Sequence, residues 1–280
     1  MIQWYPGHMA KTKREVLEKM KMIDLVIELK DARIPYSSTN PLIDEIIGTK
    51  PRLILLCKSS MADETITKEW MTYYEQKGCL ALDIDSITGY HIKDVYSYAR
   101  EAMKEVFQKR EAKQIKSKSI KAMILGIPNV GKSTLINTLA QRKATNVGDK
   151  PGVTKNQTWI KIKDDFYILD TPGILWPKFE DQEVGLKLAL CGSIKEEILN
   201  LDDLAYQAIS MLANNYPSLL KERYQIDIME DPVLMLEQIG KKRGFLSKGG
   251  IVDLERVNRV FLMELRGKKI GRVSYEKPSL

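Results

Sequence analysis

The sequence predicts an α/β domain with a mainly parallel sheet, followed by a small all-helical domain. The first observation is a set of apolar runs of strand length, separated by helix-length stretches; the runs read DLVIELKDARIP, PRLILLC, CLALDI and KAMILGI. Strands that alternate with helices in this way form parallel sheets covered on both faces. The second observation is a change near Pro177, after which the chain is rich in lysine and leucine and has no further strong strand pattern. We therefore expect one domain over residues 1–177 and a second over residues 178–280.

The other elements of the first domain follow from local patterns. In AKTKREVLEKMKMI, the residues Val16, Met20 and Ile23 recur at spacings of four and three, which predicts an amphipathic helix. The stretch QTWIKIKDDFYILDTPG predicts a β-hairpin that turns near Asp164. Two further helices are predicted, around Glu64–Gln76 and Ile92–Phe107.

Composition narrows the class of protein. With 280 residues, 44% hydrophobic side chains and charges of both signs, the chain resembles soluble globular proteins, and its net charge of +7 favours a polyanionic partner such as nucleic acid. The cysteines Cys57, Cys79 and Cys191 are widely spaced, which disfavours a disulfide framework or a zinc site. Because the sequence contains neither an apolar leader nor a run of about 18 apolar residues, we expect a cytoplasmic protein with no membrane partner.

The stretch GIPNVGKST, residues 126–134, matches the phosphate-binding pattern G-x-x-x-x-G-K-S. It follows an apolar strand and opens a helix, so that backbone N–H groups and the helix N-terminus can bind phosphate. Lys132 is expected to reach the β- and γ-phosphates, and the Ser133 hydroxyl is expected to ligate Mg²⁺. The phosphate-binding residues predicted in this loop are Asn129, Val130, Gly131, Lys132, Ser133 and Thr134.

Two downstream motifs complete a nucleotide switch. DTPG follows the second hairpin strand, so Asp170 is expected to hold the Mg²⁺ shell and the Gly173 N–H to contact the γ-phosphate. PGVT supplies Thr154 as a second Mg²⁺ ligand. At this order and spacing after a phosphate loop, both motifs favour a GTPase with Mg²⁺ as cofactor.

The motifs that recognise the base precede the phosphate loop. A GTPase needs a base loop, usually Asn-Lys-x-Asp, at the end of one strand, and a short Ser-Ala-type loop after the next. Nothing after Gly173 fits, whereas LILLCKSSMAD and LALDIDSITG, before the phosphate loop, end in such loops. The sequence therefore predicts a circularly permuted P-loop GTPase domain, in which the charged stretch 108–118 joins what would otherwise be the termini. The predicted ligands are GTP and GDP, and the predicted base-binding residues are Cys57, Lys58, Ser59, Ser60, Asp85 and Ser86.

The chain resembles the YlqF-type circularly permuted GTPases over essentially its whole length. The resemblance is carried by WYPGHMAK, DARIP, Asn40-Pro41, GIPNVGKST, PGVTK, DTPGIL and RGKKIGRVSYEKP. It implies a GTPase that assists a late step in assembly of the bacterial large ribosomal subunit, with the subunit precursor and its rRNA as partners. It also implies that hydrolysis is slow alone and faster on the ribosomal particle.

The base loop departs from that family. The family has Asn-Lys-x-Asp where this chain has Cys57-Lys58-Ser59-Ser60, so the aspartate that binds two guanine nitrogens is missing. Losing such charge-assisted bonds costs about 1.5–3 kcal/mol, on the order of ten- to a hundredfold in guanine preference. Asp63 is a candidate substitute if the loop is remodelled. We otherwise expect GTP to bind mainly through its phosphates, with weakened discrimination against other purines.

A group that orients the attacking water is also needed. Small GTPases place a glutamine just after DxxG, where this chain has Ile174. Of the two histidines, His8 in YPGHM is the better candidate, because a tight Pro-Gly turn could aim its ring; a structural turn histidine is the alternative. The resemblance, in which this histidine is implicated in hydrolysis, favours His8 as a catalytic residue. Lys132 of the phosphate loop is the other predicted catalytic residue. Asn129 resembles the asparagine that seats a K⁺ ion in potassium-activated relatives, so K⁺ is a candidate second cofactor.

The carboxy-terminal part carries a candidate RNA surface. VDLERVNRVFLMELRGKK predicts a helix with Asp253 as cap and Gly267 as stop, whose apolar face is buried. Its basic residues, with GKKRGFLSKGG before it, suit RNA phosphates, although a solvated charged helix is the alternative. The predicted RNA-binding residues are Lys241, Lys242, Arg243, Arg256, Arg259, Lys268 and Lys269.

Three functions are compatible with these motifs. The first is a GTPase that docks on ribosomal RNA and hydrolyses GTP when engaged. The second is a nucleotide-gated RNA-binding module in which hydrolysis is incidental. The third, a metabolic phosphotransferase, is disfavoured because the sequence has switch motifs and no acceptor-substrate site. We expect a monomer.

Overall fold

A computed structural model describes residues 16–40, 42–141, 159–169, 181–194 and 196–278 of the chain. The chain divides into two compact units. The first contains the described residues up to Gly185 and those from Ser274 onward, and the second spans Leu186–Val273. The domain boundary expected between residues 177 and 178 lies outside the described residues.

A six-stranded sheet forms the centre of the first unit. In space the strands follow the order β3-β2-β1-β4-β6-β5, and every neighbouring pair is parallel except the hairpin β5–β6. The mainly parallel sheet and the hairpin are thus confirmed. The strands are β1 (Leu25–Asp31), β2 (Arg52–Cys57), β3 (Leu80–Asp83), β4 (Ile120–Gly126), β5 (Trp159–Lys163) and β6 (Phe166–Leu169).

Helices connect the strands and make up the second unit. Residues 16–20 are helical, and single 3₁₀ turns occur at Ser59–Met61, Ile92–Asp94 and Glu196–Ile198. None of the described helices is long and apolar enough to span a bilayer. The remaining helices are α1 (Leu42–Ile47), α2 (Glu64–Gln76), α3 (Val95–Ala102), α4 (Lys104–Ala112), α5 (Lys132–Ala140), α6 (Gln182–Leu190), α7 (Leu201–Asn215), α8 (Pro217–Tyr224), α9 (Pro232–Arg243) and α10 (Leu254–Arg266).

Two helical elements differ from expectation. The segment expected to form one helix from Ile92 to Phe107 is interrupted at Met103, whose backbone has φ −92° and ψ 0° and whose side chain is fully buried. The sequence pattern continues through this point, so only the packing of Met103 reveals the break. The short helix α1 was not predicted; its Ile43, Ile46 and Ile47 pack in one core cluster with Val16, Met20 and Ile23. Of the helix expected over residues 10–23, the described part is helical at residues 16–20 and ends before Ile23.

The central strand β1 is buried along its whole length although it contains Glu28, Lys30 and Asp31. Buried charges are tolerated when they are paired and hydrogen-bonded. Glu28 accepts a hydrogen bond from Nε of Arg52 at 2.7 Å and lies 3.3 Å from Nζ of Lys30. Ionic pairs therefore replace part of the usual apolar contacts at the middle of the sheet.

The second unit is helical, as expected from its composition. Asp253 caps α10 by accepting a bond from the Arg256 N–H at 3.1 Å, and the predicted face of α10 is buried at Val257, Phe261 and Leu265. An isolated bridge between Leu246 and Val252 is the β-pairing recorded in the described part of this unit. Buried Glu264 on α10 joins three helices, because it binds side chains of α8 and α9: Arg223 at 2.7 Å, Tyr224 at 2.9 Å and Arg243 at 3.5 Å.

The closing residues return to the first unit, although the composition of residues 178–280 predicted that all of them belong to the helical domain. The Tyr275 N–H donates to the carbonyl oxygen of Arg33 at 2.9 Å. The Glu276 carboxylate accepts bonds from the Ser37 N–H at 3.0 Å and the Ser37 hydroxyl at 2.7 Å. The Ser274 hydroxyl accepts a bond from the Asp63 N–H at 3.1 Å. The tail, defined as Ser274–Glu276, is thus held by residues that follow β1 and β2.

Candidate nucleotide-binding site

The phosphate loop joins the end of β4 to the start of α5. Asn129 and Gly131 have φ angles of 59° and 106°, in the left-handed region that glycine adopts freely and asparagine tolerates. A Cβ atom on Gly126 would lie 3.0 Å from the Leu29 carbonyl oxygen, so a larger residue would push β4 away from β1. Gly131 therefore allows the conformation of the loop, and Gly126 allows β4 to pack closely against β1.

The side chains of this loop lie at the first turn of α5, whose N–H groups have no partner inside the helix. Val130 is buried and anchors the loop, whereas Asn129, Ser133 and Thr134 are half-buried. Lys132 is 7% exposed. A hydroxyl beside a buried lysine at a helix N-terminus fits the Ser133 position of an Mg²⁺-dependent phosphate site. The predicted set from Asn129 to Thr134 is therefore contiguous and suitably placed.

Four predicted site residues lie outside the described part of the chain: His8, Thr154, Asp170 and Gly173. The other histidine, His91, is described. Its Nδ1 lies 3.0 Å from the Asp83 carbonyl oxygen and 3.1 Å from Asp83 Oδ1, so its ring is bound at the end of β3.

The base loop begins at Lys58, immediately after β2. Lys58 has φ 58°, and its Nζ donates to Oδ2 of Asp31 at 3.0 Å. The same carboxylate accepts bonds from Nε of Arg33 at 2.9 Å and Nη2 at 2.7 Å. Burial alone would raise the pKa of Asp31, but the charges of Arg33 and Lys58 and their hydrogen bonds hold it well below its usual range. The loop lysine is thus fixed by a carboxylate that is ionised at neutral pH.

The second base loop follows β3 and is bonded to the first. The Ser59 N–H donates to the Ile84 carbonyl oxygen at 3.1 Å, and the Ser60 hydroxyl donates to Oδ2 of Asp85. Oδ1 of Asp85 accepts bonds from the N–H groups of Ile87 at 2.8 Å and Thr88 at 3.1 Å. Burial opposes ionisation of Asp85, but the bonds from the Ser60 side chain and these amides outweigh it, so its pKa lies below the ordinary value.

The base loops and the phosphate loop meet at one edge of the sheet. Across the parallel pairs, Asp31 aligns with Cys57 and Leu29 with Gly126, so the carboxyl ends of β2, β1 and β4 lie side by side. The Thr138 hydroxyl on α5 donates to the Thr134 carbonyl oxygen at 2.9 Å and lies 3.3 Å from the Ser86 carbonyl oxygen, which places the second base loop against the helix of the phosphate loop. Motifs distant in the sequence are thus brought together.

Not every predicted base-loop side chain faces this edge. Cys57 and Ser59 are 3% and 2% exposed. The Cys57 thiol donates toward the Leu55 carbonyl oxygen at 3.7 Å, and burial raises its pKa. These two residues therefore offer the site backbone groups rather than side chains. No role was predicted for Asp31 or Arg33. The signal present in the sequence was an acidic residue at the end of an otherwise apolar strand.

Comparison with known proteins identifies the family. Residues 121–236 match a family model described as a 50S ribosome-binding GTPase. The chain is 52% identical over 279 residues to a Bacillus cereus protein named ribosome biogenesis GTPase A, covering 99% of this chain and 94% of the relative. The chain belongs to this family of ribosome biogenesis GTPases. A relative of the same name from Thermotoga maritima is 31% identical and covers 99% of this chain and 95% of its own length.

A solved structure supports the permuted fold of this GTPase. A GDP-bound structure of YlqF superimposes with a TM-score of 0.66 and 27% identity, covering 95% of this chain and 99% of that one. The circular permutation predicted from motif order is thereby confirmed, and the chain is a P-loop GTP hydrolase with a role in ribosome biogenesis. Its family implies the usual Mg²⁺ dependence, to which the Ser133 position is suited.

The predicted RNA-binding side chains are all exposed in the second unit, but they differ in whether they form ion pairs with acidic side chains. Lys241, Arg243 and Arg259 form ion pairs at 3.7, 3.5 and 2.9 Å with glutamates of α9 and α10. Arg256 stacks 4.4 Å above the Phe245 ring. Within the described residues no ion pair is recorded for the other members of the set, which are Lys242, Lys268 and Lys269.

Proposed function

We propose that this GTPase binds the precursor of the large ribosomal subunit in the cytoplasm, as a monomer, and promotes a late step of its assembly. We further propose that the particle stimulates GTP hydrolysis. The observation that carries the proposal is the match of residues 121–236 to a model described as a 50S ribosome-binding GTPase, since that range contains the phosphate loop.

The second unit is proposed to contact rRNA. A lysine that has no acidic partner nearby can bind an RNA phosphate and release counterions from the RNA. Among the described residues, Lys242, Lys268 and Lys269 are of this kind. The basic residues in ion pairs, such as Arg243 with Glu264, have part of their charge already neutralised. We therefore assign most of the phosphate contact to the three lysines.

The proposed chemistry is attack of water on the γ-phosphate. Lys132 and the loop N–H groups bind the β- and γ-phosphates and offset charge that develops during transfer. Ser133, Thr154 and Asp170 would hold Mg²⁺, which would supply positive charge to offset that of the phosphates. His8 is proposed to orient the water because Ile174 has no group that can do so. Asn129 is proposed to seat K⁺; equal turnover in K⁺ and Na⁺ would exclude that assignment.

The test is GTP hydrolysis with and without purified large subunits, combined with co-sedimentation in GTP and in GDP. We expect nucleotide-dependent, salt-sensitive binding and a faster turnover on the particle. Binding without any stimulation would favour the nucleotide-gated RNA-binding module.

His8→Ala should abolish the stimulated rate while leaving GTP binding intact; an unchanged stimulated rate would remove His8 from the mechanism.

A further inference from the structure

The base loop lacks the aspartate that normally reads guanine, and the structure rules out the nearest substitute among its described residues. Asp63, three residues beyond Ser60, accepts bonds from the N–H groups of Thr65 at 2.9 Å and Ile66 at 3.2 Å. It is therefore the cap of α2, and rotating it toward a ligand would expose the start of that helix. A different carboxylate is in contact with the loop, because Asp85 binds the Ser60 hydroxyl.

We propose that Ser60 and Asp85 together replace the missing aspartate, with the Ser60 oxygen accepting a hydrogen bond from the guanine base and Asp85 holding the Ser60 proton. Ser60 is then a base-contacting residue and Asp85 a positioning residue. The inference rests on guanine nucleotide binding by the family and not on the proposed ribosomal role.

Selectivity would come from the direction of the Ser60 hydroxyl. A hydroxyl has one hydrogen to donate and two lone pairs that accept. Because the hydrogen is given to Oδ2 of Asp85, only lone pairs remain for the ligand. Guanine presents N–H donors at N1 and N2, whereas adenine presents an acceptor at N1. A site that offers only an acceptor binds the first and rejects the second.

The surroundings of Asp85 suit this role. Its Oδ1 is held by two backbone amides, and the residue is 4% exposed, so the carboxylate cannot swing away from Ser60 without losing those bonds. A hydrogen bond to an ionised acceptor is roughly twice as strong as a neutral one. The negative charge also leaves the Ser60 oxygen a better acceptor, since hydrogen bonds in a chain polarise one another.

The pair also lies at the correct edge of the sheet. Ser60 is two residues beyond Lys58, which follows β2. Asp85 precedes Ser86, whose carbonyl oxygen lies 3.3 Å from the Thr138 hydroxyl on the phosphate-loop helix. A nucleotide whose phosphates lie on the loop before α5 therefore has its base at the junction of these two loops.

The experiment measures competition of GTP, ITP and ATP against a fluorescent guanine nucleotide, using the full chain without ribosomes. Ser60→Ala should lower the preference for GTP over ATP by up to about tenfold, the upper end of the loss expected for one hydrogen bond between neutral groups. Asp85→Asn should lower it several-fold, because the hydroxyl is no longer held by a charge. ITP, which lacks the N2 amine, reports whether N1 or N2 is the donor.

The double variant Ser60→Asp/Asp85→Asn provides the rescue. It places a carboxylate in the base loop beside an amide and should raise the preference for GTP above that of the wild type, whereas Ser60→Asp alone brings two carboxylates together and should lower it. Asp83→Asn is the matched control, because Asp83 ends β3, two residues before Asp85, and contacts His91. This variant should leave the GTP-to-ATP preference unchanged. A GTP-to-ATP ratio within twofold of wild type in Ser60→Ala, or in Asp85→Asn, would overturn the proposal.

Discussion

Nζ of Lys58 lies 3.0 Å from Oδ2 of Asp31, so the lysine of the base loop is fixed by the last residue of the central strand. Asp31 is fully buried and is also bound by Arg33, whose carbonyl oxygen accepts a bond from Tyr275 of the tail. A continuous set of contacts thus runs from the base loop to the end of the chain. Asp31, the first residue of the DARIP motif, therefore positions Lys58.

Asp31→Asn tests this arrangement. Removing one partner of a buried ionic cluster leaves the Arg33 charge uncompensated and should cost about 3–5 kcal/mol in unfolding free energy. Nucleotide affinity should fall as well, because Lys58 loses its anchor. Urea denaturation and titration with GDP measure the two effects. Asp44→Asn, which removes an exposed partner of Arg52, is the control and should cost less than about 1 kcal/mol; equal costs for the two variants would contradict the assigned role.

The stability that Asp31 contributes should depend on pH in a definite direction. Its pKa is lower in the folded protein than in the unfolded chain, so the unfolded chain binds more protons once the pH approaches 3.8, the ordinary value. The contribution is therefore complete above that value and is lost as the pH falls through the folded pKa. The difference in unfolding free energy between wild type and Asp31→Asn should stay constant from about pH 7 to pH 5 and shrink below about pH 4. A difference that already shrinks above pH 5 would be inconsistent with a depressed pKa.

Glu276→Ala should loosen the tail. The carboxylate accepts bonds from the Ser37 amide and hydroxyl, and a hydrogen bond to a charged group contributes about 1.5–3 kcal/mol net. We expect a loss of about 1–3 kcal/mol in unfolding free energy and weaker GDP binding. Lys277→Ala, at the exposed neighbouring position, should change neither. The tail would have no part in the nucleotide site if GDP affinity were the same in both variants.

Lys132→Ala should remove hydrolysis. Lys132 is buried at the first turn of α5, where we propose that the phosphates bind, and loss of one preorganised group of this kind lowers turnover by about 10²–10³-fold. Single-turnover GTP hydrolysis measures the effect. Lys118→Ala in the exposed linker serves as the charge-matched control. Turnover within tenfold of wild type would exclude Lys132 from charge stabilisation.

Combined replacement of Lys242, Lys268 and Lys269 by alanine should weaken binding to large subunits and reduce its salt dependence. Each lost phosphate contact should lower the slope of log affinity against log salt by about 1. Arg243→Ala should have a smaller effect on the slope and a larger one on stability, since Arg243 is paired with buried Glu264. Lys68 and Lys77 of the first unit, replaced together, are the control. An unchanged slope in the triple variant would place the RNA surface elsewhere.

The sequence by itself determined the strands, their order along the chain and the phosphate loop. Apolar runs marked β1 to β4, the alternation of charged and apolar residues marked the hairpin, and the glycines and lysine of residues 126–134 marked the phosphate loop. These signals are local, since they depend on side-chain periodicity and on the backbone angles that glycine permits. Motif order then implied the permutation, because parallel strands present their carboxyl ends at one edge.

Only the tertiary structure decided which side chains meet at that edge. Ser60 and Asp85 are 25 residues apart, Lys58 and Asp31 are 27 apart, and Ser37 and Glu276 are 239 apart. No local pattern specifies such pairs, because they depend on strand register and on the packing of loops that follow different strands. The sequence shows that the base loop has Ser60 in place of the aspartate. The contact between Ser60 and Asp85 depends on the pairing of β2 with β3, which the sequence does not specify.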